Sequence, residues 1–300
     1  MRLQKGDTVA VIAPASPPNK ENLERGIAFL EKLGLKVKLG NHLFHQYGYL
    51  AGSDQQRLAD FHWAFTDKEI KGVFCACGGY GTARIAEEID YSIIASNPKM
   101  FWGYSDITYL HLAIYKKTGL STFHGPMLSS DIGSSSCETT NAMFRQLFEP
   151  QKISYTEEYS PLETLVEGNA SGVVIGGNLS LIASTLGTPV EVDTKSKIVL
   201  IEDVNEEPRS IDRMLNQLQS AGKLRDAAGF IIGDFHQCES KREKSLTLKE
   251  VIDTYITQQG KPALKGFKIG HCSPNIAVPL GVQADLYAST KKVILETGVQ

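Results

Sequence analysis

A helix-flanked parallel sheet followed by a smaller mixed α/β unit is the fold class this sequence predicts, and three observations predict it. Short β-branched or apolar runs alternate with amphipathic helical stretches through the first half. A polar stretch without periodicity interrupts the pattern around residues 149–168. Strand-like runs and two strong helices then resume.

In chain order, the first-half strands are expected at Thr8–Ala13, Leu35–Leu39, Gly72–Cys77, Met100–Gly103 and Ser121–His124. Between the first two, Leu23, Ile27 and Leu30 recur at helical spacing opposite the wet Glu31 and Lys32, and Gly34 supplies a stop. Ser53 is a suitable cap for a second helix with Leu58, Phe61 and Phe65 inward. The polar segment containing Glu149-Pro150-Gln151-Lys152 marks a boundary, giving an N-terminal domain over 1–150, a linker over 151–168 and a C-terminal domain over 169–300. Gly172–Ile175, Lys197–Ile201, Gly229–Gly233 and Val293–Glu296 are expected strands in the second half, with helices over Ser210–Ala221 and Thr247–Gln258.

Composition removes several function classes. With 300 residues, 42% of them hydrophobic, the chain buries a sizeable core. A net charge of -3 with both signs interspersed offers no positive field for a nucleic acid. No apolar window reaches membrane-spanning length, and the N-terminus runs into a strand without an export-type segment, so a cytoplasmic protein is expected. Five cysteines are an odd number in a chain too large to need staples, which reads as reduced thiols. Cys75 and Cys77 lack a companion Cys/His cluster, and no H-E-x-x-H occurs, so neither a metal nor an organic cofactor is called for.

Three places carry candidate chemistry. Phe101-Trp102-Gly103-Tyr104-Ser105-Asp106 puts a serine just past a strand and before a helix, the setting of a nucleophile elbow. There the Asp106 backbone N–H would face a developing oxyanion, although Ser105 also reads as a plain helix cap. Gly78-Gly79-Tyr80-Gly81 likewise follows a strand and permits close backbone approach to a ligand, but it fails as a dinucleotide fingerprint. Glu202 and Asp203 end an apolar strand, and His271 sits in a glycine-proline loop, where a base would be exposed to a cleft. His124 also follows a strand, and residue patterns alone leave both histidines open.

These segments, together with Val11–Ser16, Gly125-Pro126-Met127 and Gly176-Gly177-Asn178-Leu179, resemble the serine LD-carboxypeptidase family in order and spacing over nearly the whole chain. The resemblance implies a flavodoxin-like N-terminal domain and a C-terminal domain, with the site between them. It implies Ser105 as nucleophile, Glu202 as triad acid, His271 as base, and the N–H groups of Gly79 and Asp106 as oxyanion donors. Tyr80, Arg84 and Asn178 are the expected substrate contacts, Arg84 because Cys77 stands where relatives often carry an arginine. The expected reaction is release of terminal D-alanine from murein tetrapeptides in cell-wall recycling, by a homodimer. Alternatives are a hydrolase of a microcin C-like peptide-nucleotide amide and a non-catalytic murein-peptide binding protein.

Overall fold

In a computed structural model describing residues 2–299, the strands gather into two sheets. The first contains β1 (Thr8–Ile12), β2 (Lys36–Leu39), β3 (Ile70–Cys75), β4 (Met100–Gly103) and β5 (Thr122–His124), all parallel, in the order 2-1-3-4-5. That is the flavodoxin-like order, in which ligands gather beyond the strands' carboxyl ends where the winding reverses. Every residue of β4 is buried, as expected for strands covered on both faces.

The covering helices follow their local signals. α1 (Lys20–Lys32) is capped by Asn19, and Leu23, Gly26 and Leu30 face inward. α2 (Asp54–Thr66) opens with Ser53 in a reciprocal capping box with Gln56 and buries Phe61 and Phe65. The short α3 (Thr82–Ala86) and α4 (Tyr91–Ser96) precede β4, and α5 (Thr108–Thr118) leaves it and ends at the left-handed Gly119.

The second sheet has eight strands: β6 (Ile153–Tyr155), β7 (Glu163–Val166), β8 (Asn169–Asn178), β9 (Ile198–Val204), β10 (Gly229–His236), β11 (Ala263–Lys265), β13 (Gln283–Tyr287) and β14 (Lys292–Leu295). Its centre, β8-β9-β10-β11, is parallel, and antiparallel strands flank it on both sides. Ile211, Leu215 and Leu218 of the helix Pro208–Ser220 pack on one face with Val251 and Ile256 of the helix Leu248–Thr257.

Two expectations need correction. Residues 151–168 are not a free linker, because β6 and β7 in that span form the two edges of the second sheet. Both were too short and too polar at alternate positions to stand out. The C-terminal part is also not confined to the second sheet: β12 (Val278–Leu280) pairs antiparallel with β5 at the edge of the first. Ala277 and Val299 are buried in the same apolar cluster as Val9, Phe74 and Trp102. The second unit is therefore shorter in sequence but wider in sheet, with eight strands against six.

Candidate active site

The chain leaves β4 through Tyr104 and enters α5 through a single tight turn, Ser105–Ile107. Ser105 holds φ at 64°, a left-handed conformation that costs a non-glycine residue of order 1 kcal/mol or more. Such strain at a strand-to-helix turn exposes a hydroxyl, which is the nucleophile-elbow geometry. The glycine loop closes over it: a Cβ on Gly78 would lie 2.9 Å from that of Ser105, so only glycine lets the two turns approach this closely.

Glu202 arrives on β9 of the second sheet, and His271 in the loop that leads from β11 to β12. The His271 Nε2 lies 3.0 Å from Ser105 Oγ, and its Nδ1 lies 2.8 Å from Glu202 Oε2. With Nδ1 protonated, the imidazole donates to the carboxylate and accepts the serine hydroxyl proton. Glu202 is wholly buried on β9, and among the described residues nothing hydrogen-bonds its Oε1. A side chain on Gly270 would collide with the Glu202 carboxylate, so this glycine lets the histidine loop lie flat against it. Burial opposes charging His271, but the charge and hydrogen bond of Glu202, with smaller help from Asp131 and Asp203, leave its pKa above the ordinary imidazole value.

Backbone anchoring on the serine side is dense. The Thr82 N–H donates to Asp106 Oδ2 at 2.9 Å, and the Thr82 hydroxyl donates to the Asp106 carbonyl at 2.7 Å, tying the glycine loop to the elbow. The buried Arg57 donates from Nη1 to the carbonyls of Pro14 (2.5 Å) and Gly81 (2.8 Å), while Nη2 pairs with Asp54. One guanidinium thereby fastens the loop after β1 to the glycine loop.

The expected substrate contacts fare unevenly. Tyr80 is half exposed beside the site, its ring 5.5 Å from that of Tyr49. Arg84 instead spends its guanidinium on Asp54, with Nε and Nη2 at 2.9 and 2.7 Å from the carboxylate, so it is not a free carboxylate partner. Asn178 is buried, donating to Asp203 at 2.9 Å and capping the helix Leu179–Ser184 through its own carbonyl, and so it positions β8 rather than facing a ligand. His124, the rival histidine, lies in the core behind Tyr104 with both ring nitrogens unpartnered among the described residues, and burial holds its pKa well below the usual range.

Residue patterns did not reveal Tyr104, Asp131 and Arg57 as supporting groups, and marked Asp203 only as one of two acids ending a strand. The Tyr104 ring packs 4.8 Å from that of His271, and its hydroxyl donates to the half-buried Asp131 at 3.0 Å. Asp203 accepts from Asn178, Ser180 and its neighbour's N–H, and burial together with the charge of Glu202 raises its pKa to about 6. Arg57 carried no signal because an arginine in a helix's first turn is ordinarily solvated. For Tyr104 and Asp131 the separation in sequence hid the contact.

Comparison with known proteins bears on the family and the fold. Residues 9–125 match the LD-carboxypeptidase N-terminal domain, and residues 171–286 match the LD-carboxypeptidase C-terminal domain. A probable murein peptide carboxypeptidase of Bacillus subtilis (strain 168) is 59% identical over 299 residues, covering 99% of this chain and 94% of its own. A murein tetrapeptide carboxypeptidase of Pseudomonas aeruginosa is 31% identical, covering 93% and 92%. Among solved structures, the wild-type apo form of the microcin C7 self-immunity protein MccF superposes with a TM-score of 0.91 at 25% identity, covering 98% of this chain and 97% of its own. A muramoyltetrapeptide carboxypeptidase from Oxalobacter formigenes does so with a TM-score of 0.85 at 26% identity, covering 97% and 99%. With both family domains matched in order and relatives aligned nearly end to end, the chain belongs to the LD-carboxypeptidase family.

Proposed function

We propose that this protein is a serine carboxypeptidase that releases terminal D-alanine from murein tetrapeptides, cutting the amide that joins the L-centre of the third residue to the D-residue. The carrying observation is the continuous hydrogen-bonded line Ser105–His271–Glu202, assembled from both sheets at the carboxyl ends of parallel strands. The murein-peptide names of relatives on both the sequence and the structure side support the substrate.

His271 Nε2 takes the Ser105 hydroxyl proton as Oγ attacks the amide carbonyl, and Glu202 holds the imidazole's tautomer and stabilises its charged form. The oxyanion is met by the N–H groups of Gly79 and Asp106, on the two turns that Gly78 and Thr82 hold together. Collapse breaks the C–N bond, and the leaving amine of D-alanine takes the proton from His271. Water then adds to the acyl-serine by the same proton path, releasing the tripeptide acid and restoring the serine. Neither metal nor organic cofactor enters these steps.

The reaction belongs in the cytoplasm, in keeping with five cysteines outside any disulfide, and family resemblance makes the working form a homodimer. The test is D-alanine release from a synthetic tetrapeptide by wild type and Ser105→Ala, with a chelator control. Serine-dependent, chelator-resistant release is expected. Folded wild-type protein that releases nothing overturns the substrate, and a peptide-nucleotide amide of the microcin kind is the next substrate to try.

A further inference from the structure

Asp131 stands one side chain away from His271, and the reaction above gives it no part. Its helical turn, Leu128–Ile132, follows β5 and is tied to the first sheet from two directions. The Trp102 indole N–H donates to the Pro126 carbonyl at 2.8 Å, and the Ser129 N–H donates to the Ala76 carbonyl at 2.8 Å. Both Asp131 oxygens accept: Oδ2 takes the Met127 N–H and the Ser130 hydroxyl at 2.9 Å, and Oδ1 takes the Tyr104 hydroxyl at 3.0 Å. Three donors and no acceptor suit a carboxylate. Burial raises its pKa above the usual carboxylate range, and the same three donors together with His271 oppose that rise.

Tyr104 is thereby fixed at both ends. Its backbone immediately precedes Ser105, and its hydroxyl is held by Asp131. Burial, then the charge of Asp131, push the phenol well above its ordinary pKa, so it stays a donor. The ring packs against two imidazoles, His271 at 4.8 Å and the buried His124 at 5.5 Å. Burial, then His111 and His271, hold His124 uncharged, so no second cation opposes His271 from that side. The two hydrogen bonds of His271 reach only its ring nitrogens, Nδ1 to Glu202 and Nε2 to Ser105. Tyr104 adds a packing contact, its ring tilted 55° and within the ~6 Å at which an aromatic attracts a cation.

We propose that Tyr104 is a positioning residue for His271 and that Asp131 acts through it. The carboxylate locks the phenol, and the phenol ring keeps Nε2 aimed at Ser105 while the proton is taken up and handed on. The negative charge of Asp131 joins that of Glu202 in stabilising the imidazolium. The titratable groups facing His271 are Glu202 and Asp203 on β9, Asp131 on the turn after β5, His124 on β5, Tyr104 at the elbow and the chain neighbour Cys272. Among the effects on its pKa, burial lowers it, Glu202 raises it most, and Asp131 and then Asp203 add to the rise. Glu202 therefore orients one nitrogen of the base, while Asp131 steadies the whole ring from the serine's own sheet.

This inference rests on the Ser105–His271–Glu202 reading of the site and not on the murein substrate, and the experiment separates the two. Ser105 is labelled with a fluorophosphonate across pH, with Ser105→Ala as the blank. Oγ forms the P–O bond and fluoride leaves, so the rate reads the base without any peptide. His271 is titrated in parallel by NMR of protein carrying isotope-labelled histidine, its signal assigned with His271→Gln. Tyr104→Leu should slow labelling by ~10²-fold, and Tyr104→Phe, which keeps the ring, should recover most of that loss. Asp131→Asn should move both the His271 titration and the acid limb of the labelling profile to lower pH, because a charge that favours the imidazolium is gone. A Tyr104→Phe variant as slow as Tyr104→Leu, or an Asp131→Asn profile that overlays the wild type, overturns the inference. Should Tyr104→Leu not fold, the Asp131→Asn arm decides alone. Labelling with these variant effects, but no D-alanine released from a tetrapeptide, keeps the inference and sinks the substrate. D-alanine release with wild-type pH dependence in Asp131→Asn does the reverse.

Discussion

The serine and its two partners are held by opposite means. On the first sheet, Ser105 is fixed by backbone: a left-handed turn, a glycine against its Cβ, the Thr82–Asp106 link and the Arg57 clamp. On the other side, the buried Glu202 and the half-buried His271 hold each other through one 2.8 Å hydrogen bond, and among the described residues one carboxylate oxygen is left unpartnered. The nucleophile's side is therefore set mainly by backbone geometry, whereas the acid–base side is electrostatic and tuned by pH.

The comparison breaks first at its centre. Ser105→Ala should cut turnover by about 10⁴-fold or more while leaving the folded structure intact, as read by D-alanine release and circular dichroism. An alanine variant with measurable wild-type turnover would remove the serine from the reaction altogether. Glu202→Gln comes next, with an expected loss on the order of 10³-fold, because the neutral amide no longer stabilises the imidazolium. Its diagnostic is the pH profile. In the wild type kcat/KM should fall about tenfold per pH unit below a pKa lying above the ordinary imidazole value of ~6.5, and the variant's residual activity should shift that limb to lower pH.

A sign follows for stability too. A native His271 pKa raised above its unfolded value means the charged pair stabilises the fold fully below the unfolded pKa, and this contribution is lost as pH rises through the native one. Arg57→Met should act on the other side of the comparison, lowering unfolding free energy by ~3 kcal/mol in urea and kcat by about tenfold, with the pH limb unmoved. A displaced limb would show that the two sides are not separable. The smallest effect belongs to Thr247→Ala, which removes the capping box of the helix Leu248–Thr257 and should cost ~1 kcal/mol without touching either side's chemistry.

Much of this was legible in the residues and some was not, for physical reasons. The inner parallel strands of the first sheet stood out because burial on both faces writes an apolar run, as in Phe101-Trp102, whereas the exposed edge strand β2 showed only the alternation Lys36-Val37-Lys38-Leu39. β6 and β7 did not, since an edge strand of three or four residues with one wet face carries too little periodicity. Ser105 could be suspected from its strand-to-helix setting, but what distinguishes it from a cap is a positive φ, which leaves no mark on composition. The choice of His271 over His124 came from family resemblance alone. Distance settles their placement, since one lies 3.0 Å from the serine hydroxyl and the other is sealed behind Tyr104. Arg84 misled because the acid that occupies it, Asp54, is thirty residues away.

The return of β12 to the first sheet has a consequence for how the protein is made. Until residues 278–280 leave the ribosome, β5 is an open edge, and the core that Val299 completes lacks its last members. The nascent chain thus carries a nearly finished nucleophile domain with one unpaired border while β6 to β11 of the second sheet are translated, an interval of about 8–31 s at ~5–20 residues per second. Closure of that border brings in the segment that follows His271, so the base and the missing strand come into place together. The hydrogen-bonded line of serine, histidine and glutamate forms only after the segment from His271 to β12 has been made, and a chain stopped before it would lack the base.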